Sequence, residues 1–376
     1  RNISVAEKEG LDIITPCTGC NSSLNNAAAR LNRNPGELAH ARARLQPLGL
    51  DYNGQTRVKQ FLEVLYDDVS PGSIAEKSVK SLRGLTLALH YGCHMVRPSS
   101  GVHFDNPILP VKMDALVEAL KARSLQYPSK MECCGQALGA VDEEELSLEM
   151  MWKKLLQIQE FGADALVVCC PACFIQFDYG QNIAQRQGIK VAMPILYLSE
   201  LIGLALGFSP EELGVTMHRS DTASFFEKWE QAQRRFAIIE EHFNLQMLES
   251  CYRCRACSFD VCNVARDDPD FVPHEIVGAI LEGRIDEAIK DGDFWKCMEC
   301  NACYEMCPQK YSLWEIFGIL KHLSIEKGLE PEAIKKGIDS FRKTGVLVRP
   351  NEAQRKKLGL IHPMETDVES LRKLFE

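Results

Sequence analysis

Gln159-Glu160-Phe161-Gly162-Ala163-Asp164-Ala165-Leu166-Val167-Val168-Cys169-Cys170-Pro171-Ala172-Cys173 reads as a helix end, a glycine cap, a short apolar strand and a Cys-x-x-Cys pair opening the next helix. The same grammar stands near the start of the chain. There Glu7-Lys8-Glu9-Gly10-Leu11-Asp12-Ile13-Ile14-Thr15-Pro16-Cys17-Thr18-Gly19-Cys20 runs parallel to it, offset by 153 residues from Cys17 to Cys170. Leu24 to Leu31 continues the helix that Cys17 opens. Between the two copies, Leu85 to His90 is an apolar strand ending at Gly92-Cys93, Met113 to Arg123 has helical periodicity, and Glu143 to Gln159 is a long amphipathic helix. Strands alternating with helices predict α/β units on a mostly parallel sheet. Ligands of such units gather at the carboxyl ends of the strands, where Cys17, Cys93 and Cys170 all fall.

The cysteine spacing sets the chemistry. Cys93 is followed by 39 residues, the doublet Cys133-Cys134, 35 residues that begin with Gly135, and then Cys170 and Cys173. Five thiols so arranged point to one inorganic centre that holds them all. A second pattern follows downstream: Cys251, Cys254, Cys257 and Cys262, then Cys297, Cys300, Cys303 and Cys307-Pro308. It is close to the run of a two-cluster bacterial ferredoxin, in which a Cys-x2-Cys-x2-Cys loop gives three ligands and the other motif gives the fourth. On that logic Cys251, Cys254, Cys257 and Cys307 hold one cubane, and Cys297, Cys300, Cys303 and Cys262 hold the other. The first motif departs from the bacterial form, with four residues between Cys257 and Cys262 and Asn263 where proline is usual. Structural zinc also uses Cys-x-x-Cys pairs, but a tetrahedral ion has no use for three-residue triplets or for an adjacent doublet. Disulfides are a poorer reading, since sixteen cysteines in a chain with no secretory signal suit a reducing compartment.

Composition narrows the class. The 376 residues carry 45% hydrophobic and 25% charged residues, as an ordinary globular chain of two or three domains does. A net charge of −9 with no basic run excludes nucleic acid as the expected partner. No apolar stretch reaches membrane-spanning length; Pro194 to Phe208, broken by Ser199 and Glu200, reads as a buried helix. The cytoplasm is the expected location. After Gly207 the chain turns polar, and Ser224 to Leu248 is charged, aromatic and helical. Asp268-Pro269 marks a turn, and Leu313 to Lys327 reads as a helix after Pro308. The expected domains are therefore 1–221, whose second repeat covers about 81–207, and 222–376. The first is an α/β Cys-Cys-Gly region built of parallel-type strand–helix units. The second is a mainly α-helical, ferredoxin-like two-cluster domain.

Tyr91-Gly92-Cys93-His94, Arg97-Pro98-Ser99, Cys133-Cys134-Gly135 and Cys170-Pro171-Ala172-Cys173 resemble the B subunit of the heterodisulfide reductases, and the ferredoxin-like half resembles their C subunit. The resemblance covers nearly the whole chain, in the order of a fused B–C polypeptide. Glycolate oxidase iron–sulfur subunits and thiol-linked fumarate reductases look like combinations of the same modules. The resemblance implies that Cys93, Cys133, Cys134, Cys170 and Cys173 hold one complete non-cubane [4Fe-4S] cluster. Cys17 and Cys20 match only the last two ligands of a second. It also implies a disulfide-reducing oxidoreductase that works within a larger complex. Low-potential electrons would enter two cubane [4Fe-4S] clusters and reach the non-cubane centres, where a disulfide such as the coenzyme M–coenzyme B heterodisulfide is split. Its expected partners are the family's flavin-containing A subunit, often bifurcating, with hydrogenase, formate dehydrogenase or other redox subunits. This chain itself has neither a Gly-x-Gly-x-x-Gly fingerprint nor a P-loop, so no flavin is expected on it.

By the internal repeat, the first cysteine of the other motif would precede Cys17 by the 77 residues that separate Cys93 from Cys170, upstream of Arg1. The expectation is a natural polypeptide that extends upstream; a degenerate first motif is the other reading. If no second motif exists, the chain is an electron-relay adaptor whose partner owns the substrate. His94 can deliver a proton to a departing thiolate or make a structural hydrogen bond. Arg97 can bind an anionic substrate tail or fix its own loop. Trp295 is expected to shield a cluster from water. Cys169 is expected as a buried apolar thiol, Tyr91 as packing, and Glu143 to Glu149 as a solvated face.

Overall fold

The computed structural model describes residues 1–255, 261–346, 351–360 and 369. The chain divides into two compact units, Arg1–Phe236 and Ala237–Glu376.

The first unit is α/β. Its main sheet has four parallel strands in the order β4-β3-β5-β6. A separate parallel pair joins β1 (Ile13–Thr15) to β2 (Val58–Gln60). In the main sheet β3 is Thr86–His90, β4 Arg123–Leu125, β5 Ala165–Val168 and β6 Ile195–Tyr197. The helices are α1 (Asn2–Glu9), α2 (Thr18–Arg33), α3 (Pro35–Leu45), α4 (Phe61–Glu63), α5 (Pro71–Lys77), α6 (Cys93–Val96), α7 (Lys112–Ala119), α8 (Glu144–Glu160), α9 (Pro171–Arg186), α10 (Leu198–Ala205) and most of α11 (Ala223–His242), which continues past Phe236 into the second unit.

Successive side chains of a strand face opposite ways, and β3 and β5 use this to build two cores. Leu87, Leu89, Ala165 and Val167 join a layer with Met113, Leu116 and Val117 of α7 and Leu201 of α10. Ala88, Leu166 and Val168 join the opposite layer with Leu148, Met151, Leu155 and Ile158 of α8 and Phe177 of α9. Both faces are covered, so the middle of β3, Leu87 to Leu89, and the whole of β5 are apolar, as buried parallel strands are.

The two sequence copies are also structural copies. Gly10 caps α1 at φ 68° and Gly162 follows α8 at φ 77°. β1 pairs in parallel with β2, as β5 does with β6, and the register sets Thr15 opposite Gln60 and Val168 opposite Tyr197. Each second strand then turns directly into a helix, α4 or α10.

Two expectations are corrected. The periodicity of Met113 to Arg123 overruns the helix: α7 ends at Ala119, Lys121 is left-handed at φ 72°, and Arg123 opens β4. Pro194 to Phe208 is not one helix, because Ile195–Tyr197 completes the sheet as β6 before α10 starts. A short apolar run looks the same in a buried strand and a buried helix, and strand pairing settles the outcome.

The second unit is helical, with no strand among its described residues. It contains α12 (Leu245–Cys254), α13 (Asn263–Asp267), α14 (Pro273–Leu281), α15 (Ile285–Asp291), α16 (Ala302–Met306), α17 (Leu313–Glu326), α18 (Glu332–Thr344) and α19 (Glu352–Lys357). Leu313, Ile316, Phe317, Leu320 and Leu323 form the buried stripe of α17, at the spacing of one helix face. Phe271 meets Phe317 edge-on, with ring centroids 6.4 Å apart.

Candidate metal centres

The strand ends deliver the cysteines. Cys170 is the N-cap of α9 and Cys17 that of α2, so both sulfurs sit at the positive end of a long helix, which favours thiolate. The Cys17 sulfur accepts the Cys20 amide at 3.4 Å. Cys93 opens α6 directly after Gly92, whose φ of 74° turns the chain off β3. A Cβ there would meet the Thr18 hydroxyl and the Cys173 sulfur at ordinary contact distances, 3.4 and 3.6 Å, so it is the positive φ that calls for glycine. The glycine of Cys133-Cys134-Gly135 is more tightly constrained: its φ is 89°, and a Cβ would lie 2.7 Å from the Ser147 carbonyl oxygen. Only glycine lets the doublet lie against α8.

The five sulfurs named from the sequence come together. Each thiol perturbs the next along Cys93, Cys133, Cys134, Cys173 and Cys170. Contacts from Cys134 and Cys93 hold the Cys133 thiol far below the ordinary value. Contact with Cys173 holds Cys170 down at about 4. Contact with Cys133 pushes Cys134 up to about 11, and similar contacts together with burial push Cys93 and Cys173 higher still. No disulfide joins the described cysteines.

The other copy adjoins this set. Thr18, beside Cys17, helps to hold the Cys170 thiol down. Cys17, whose thiol burial pushes up, also senses Cys170. Gln60 bridges the two copies, donating to the carbonyls of Pro16 (3.3 Å) and Cys169 (2.8 Å), which are equivalent positions. A cavity of about 220 Å³ is lined by matching residues of both copies: Pro16 and Cys169, Gln60 and Tyr197, Phe61 and Leu198.

Two polar residues beneath the doublet were not foreseen. His90, the last residue of β3, is buried, and Lys154 of α8 is buried beside it. Lys154 Nζ lies 3.1 Å from His90 Nδ1 and donates to the Glu132 carbonyl at 2.7 Å. Burial, then the Lys154 charge, push His90 well below the ordinary imidazole value, so the ring is neutral. Burial lowers Lys154 to about 8. The one sequence signal was a lysine on the apolar stripe of α8, among Met151, Leu155 and Ile158.

His94 is exposed, and a Cβ on Gly19 would lie 3.7 Å from its Nδ1. Arg97 Nε donates to the Pro107 carbonyl at 2.9 Å, which ties it to its own loop. The Cys169 thiol is buried and donates to the Tyr91 carbonyl. Tyr91 is fully buried, and its hydroxyl donates to Asp114 at 2.7 Å. In the second unit Cys262, Cys297, Cys300 and Cys303 line one pocket with Phe271 and Phe317. Cys251, Cys254 and Cys307 line another with His274 and Arg255. Cys257 lies outside the described residues. Trp295 is half-buried, with its indole N–H on the Ser324 hydroxyl at 3.5 Å.

Residues 87–178 match the cysteine-rich domain family, and residues 247–311 match the 4Fe-4S dicluster domain. Over 230 residues the chain is 38% identical to the B subunit of the ferredoxin/F420H2-dependent CoB-CoM heterodisulfide reductase of Methanosarcina acetivorans, covering 61% of this chain and 76% of that protein. The chain belongs to the family of heterodisulfide reductase B subunits. It carries sequence of the C-subunit type as well: it is 29% identical over 154 residues to a protein of Archaeoglobus profundus that is like the heterodisulfide reductase C subunit, covering 39% of this chain and 81% of that one. This heterodisulfide reductase homologue is also 33% identical to the 8-methylmenaquinol:fumarate reductase membrane anchor subunit of Wolinella succinogenes, covering 57% of this chain and 74% of that protein. Among its described residues no helix is long and apolar enough to cross a membrane.

The donor set suits the group this family implies. Contiguous sulfurs at one sheet end, with a ring nitrogen of buried His90 within 4.8 Å of the Cys134 and Cys173 sulfurs, fit an iron–sulfur centre.

Proposed function

We propose that this chain is the disulfide-reducing iron–sulfur subunit of a heterodisulfide-reductase-type complex. Cys93, Cys133, Cys134, Cys170 and Cys173 would hold a non-cubane [4Fe-4S] cluster, and Cys17 and Cys20 part of a second. Cys251, Cys254, Cys257 and Cys307 would hold one cubane, and Cys297, Cys300, Cys303 and Cys262 the other. When bound, the clusters carry electrons from a flavin-bearing partner to a disulfide, which takes up two electrons and two protons and leaves as two thiols.

The observation that carries this reading is the apposition of the two Cys-x-x-Cys motifs, whose preceding carbonyls, on Pro16 and Cys169, accept from the same Gln60 amide. A disulfide has two sulfurs to cleave, and two facing motifs can serve one sulfur each. Thr18 and the helix N-termini hold negative charge on sulfur there. Exposed His94, beside Cys93 and against Gly19, is placed to give a proton to a departing thiolate. Arg97 has Nε committed to Pro107, which leaves its terminal nitrogens for an anionic substrate tail.

The test is Cys134→Ser in the complex purified without oxygen. Disulfide reduction should vanish while both cubane spectra persist. Loss of the cubane signals as well would refute the assignment of separate sites. The likeness to the fumarate reductase subunit favours a second reading, an electron relay to another acceptor. That reading gains if wild-type complex holds all its iron yet turns over no disulfide.

A further inference from the structure

We propose that His90 donates an Nε2–H hydrogen bond to a sulfur of the centre held by Cys134 and Cys173, and that Lys154 fixes the imidazole tautomer that makes this possible. The pair thereby raises the reduction potential of that centre. The inference rests on the assignment of the five first-unit cysteines to one cluster.

The geometry runs from Lys154 outward. An ammonium has three donors and no acceptor. Lys154 Nζ has three neighbours to satisfy them: His90 Nδ1 at 3.1 Å, the Glu132 carbonyl at 2.7 Å and the Lys130 carbonyl at 3.5 Å. The ring nitrogen facing the ammonium must accept, so the ring proton sits on Nε2. That N–H is buried and has no hydrogen-bond partner among the described residues. Buried donors are normally satisfied, and the cost of an orphan is tolerated where a bound group completes it. A ring nitrogen of His90 and the sulfurs of Cys134 and Cys173 all lie within 4.8 Å of one another. Phe177 meets the imidazole edge-on, centroids 5.0 Å apart, and fixes its plane. Reduction adds negative charge to the centre, and a hydrogen bond to sulfur offsets that charge more in the reduced state than in the oxidised one. His90 is a positioning residue in this scheme, not a ligand.

The test is a potentiometric titration of the non-cubane cluster signal, followed by electron paramagnetic resonance on the full chain purified without oxygen. His90→Leu should keep wild-type iron and sulfide and leave the cubane signals unmoved. Its one-electron reduction should become at least tenfold less favourable, a midpoint lower by about 59 mV. His90→Gln, which restores an N–H donor, should recover part of the shift. An unmoved midpoint at full iron content in His90→Leu would show that the ring only packs. Should that variant fail to hold the cluster, wild-type protein labelled with ¹⁵N-histidine decides the matter. A weak nitrogen coupling with an exchangeable proton, lost in D₂O, is expected. A strong coupling makes the imidazole an iron ligand, and no coupling places it off the cluster; either overturns the inference. Wild-type protein with no non-cubane signal refutes the cluster assignment itself, which separates that failure from this one.

Discussion

Asp114→Asn tests how the fold holds the strand end that presents Cys93. Asp114 is buried in α7 and accepts from Tyr91 Oη (2.7 Å), Ser124 Oγ (2.5 Å), Gln126 Nε2 (3.0 Å) and Lys130 Nζ (2.5 Å). Lys130 is buried too, with 8% of its surface exposed. Among the described residues its only other side-chain acceptor is Gln126 Oε1, at 3.3 Å. The amide keeps the shape of the carboxylate but strips the ammonium of its countercharge. Breaking a buried pair from one side costs about 3–5 kcal/mol. With a urea slope of about 3 kcal/mol/M, the unfolding midpoint should fall by about 1–1.7 M. The measurement is urea unfolding of the full chain without oxygen, followed by far-ultraviolet circular dichroism. The double variant Asp114→Asn, Lys130→Met should lose less than the single one, since no unpaired ammonium remains. A midpoint shift below about 0.3 M would put the pair in the range of exposed salt bridges and refute the reasoning. The acid limb supplies a second check. Burial pushes the Asp114 carboxyl up, but bonds from Lys130, Ser124 and Tyr91 outweigh burial and leave it below the usual value. Its contribution is therefore present above the unfolded carboxyl value of about 3.9 and lost as pH falls through the folded value. Asp114→Asn should lack that acid loss.

His218 lies between Glu200 (3.0 Å) and the Ile195 carbonyl (2.9 Å); burial lowers its pKa, but Glu200 raises it further, so it ends above the ordinary value. Its stabilisation should be complete below the unfolded value of about 6.5 and fade as pH rises through the folded value; urea midpoints of His218→Gln should show no such fade. Cys303→Ser should stop electron delivery from the donor subunit while an artificial dye feeding the first unit still supports disulfide turnover. Loss of the dye-driven reaction as well would refute the proposed order of centres.

The sequence alone determined the cysteine grammar, the α/β character of the first half, the helical second half and the internal repeat. Those features are local, because a glycine cap, a short apolar strand and a Cys-x-x-Cys pair are each written within a few consecutive residues. Tertiary structure decided what depends on pairing. Arg123–Leu125 and Ile195–Tyr197 are strands because β3 and β5 offer them edges, a fact absent from their own composition. It also decided the polar layer under the doublet. His90 and Lys154 are 64 residues apart in sequence, and neither carries a motif. They meet because alternation along β3 turns His90 toward α8, where one turn of the apolar stripe carries an ammonium instead of a methyl group. Gln60 bonds the carbonyls of both copies for the same reason: repeats are legible in sequence, but their mutual contact is made only when the sheets pack.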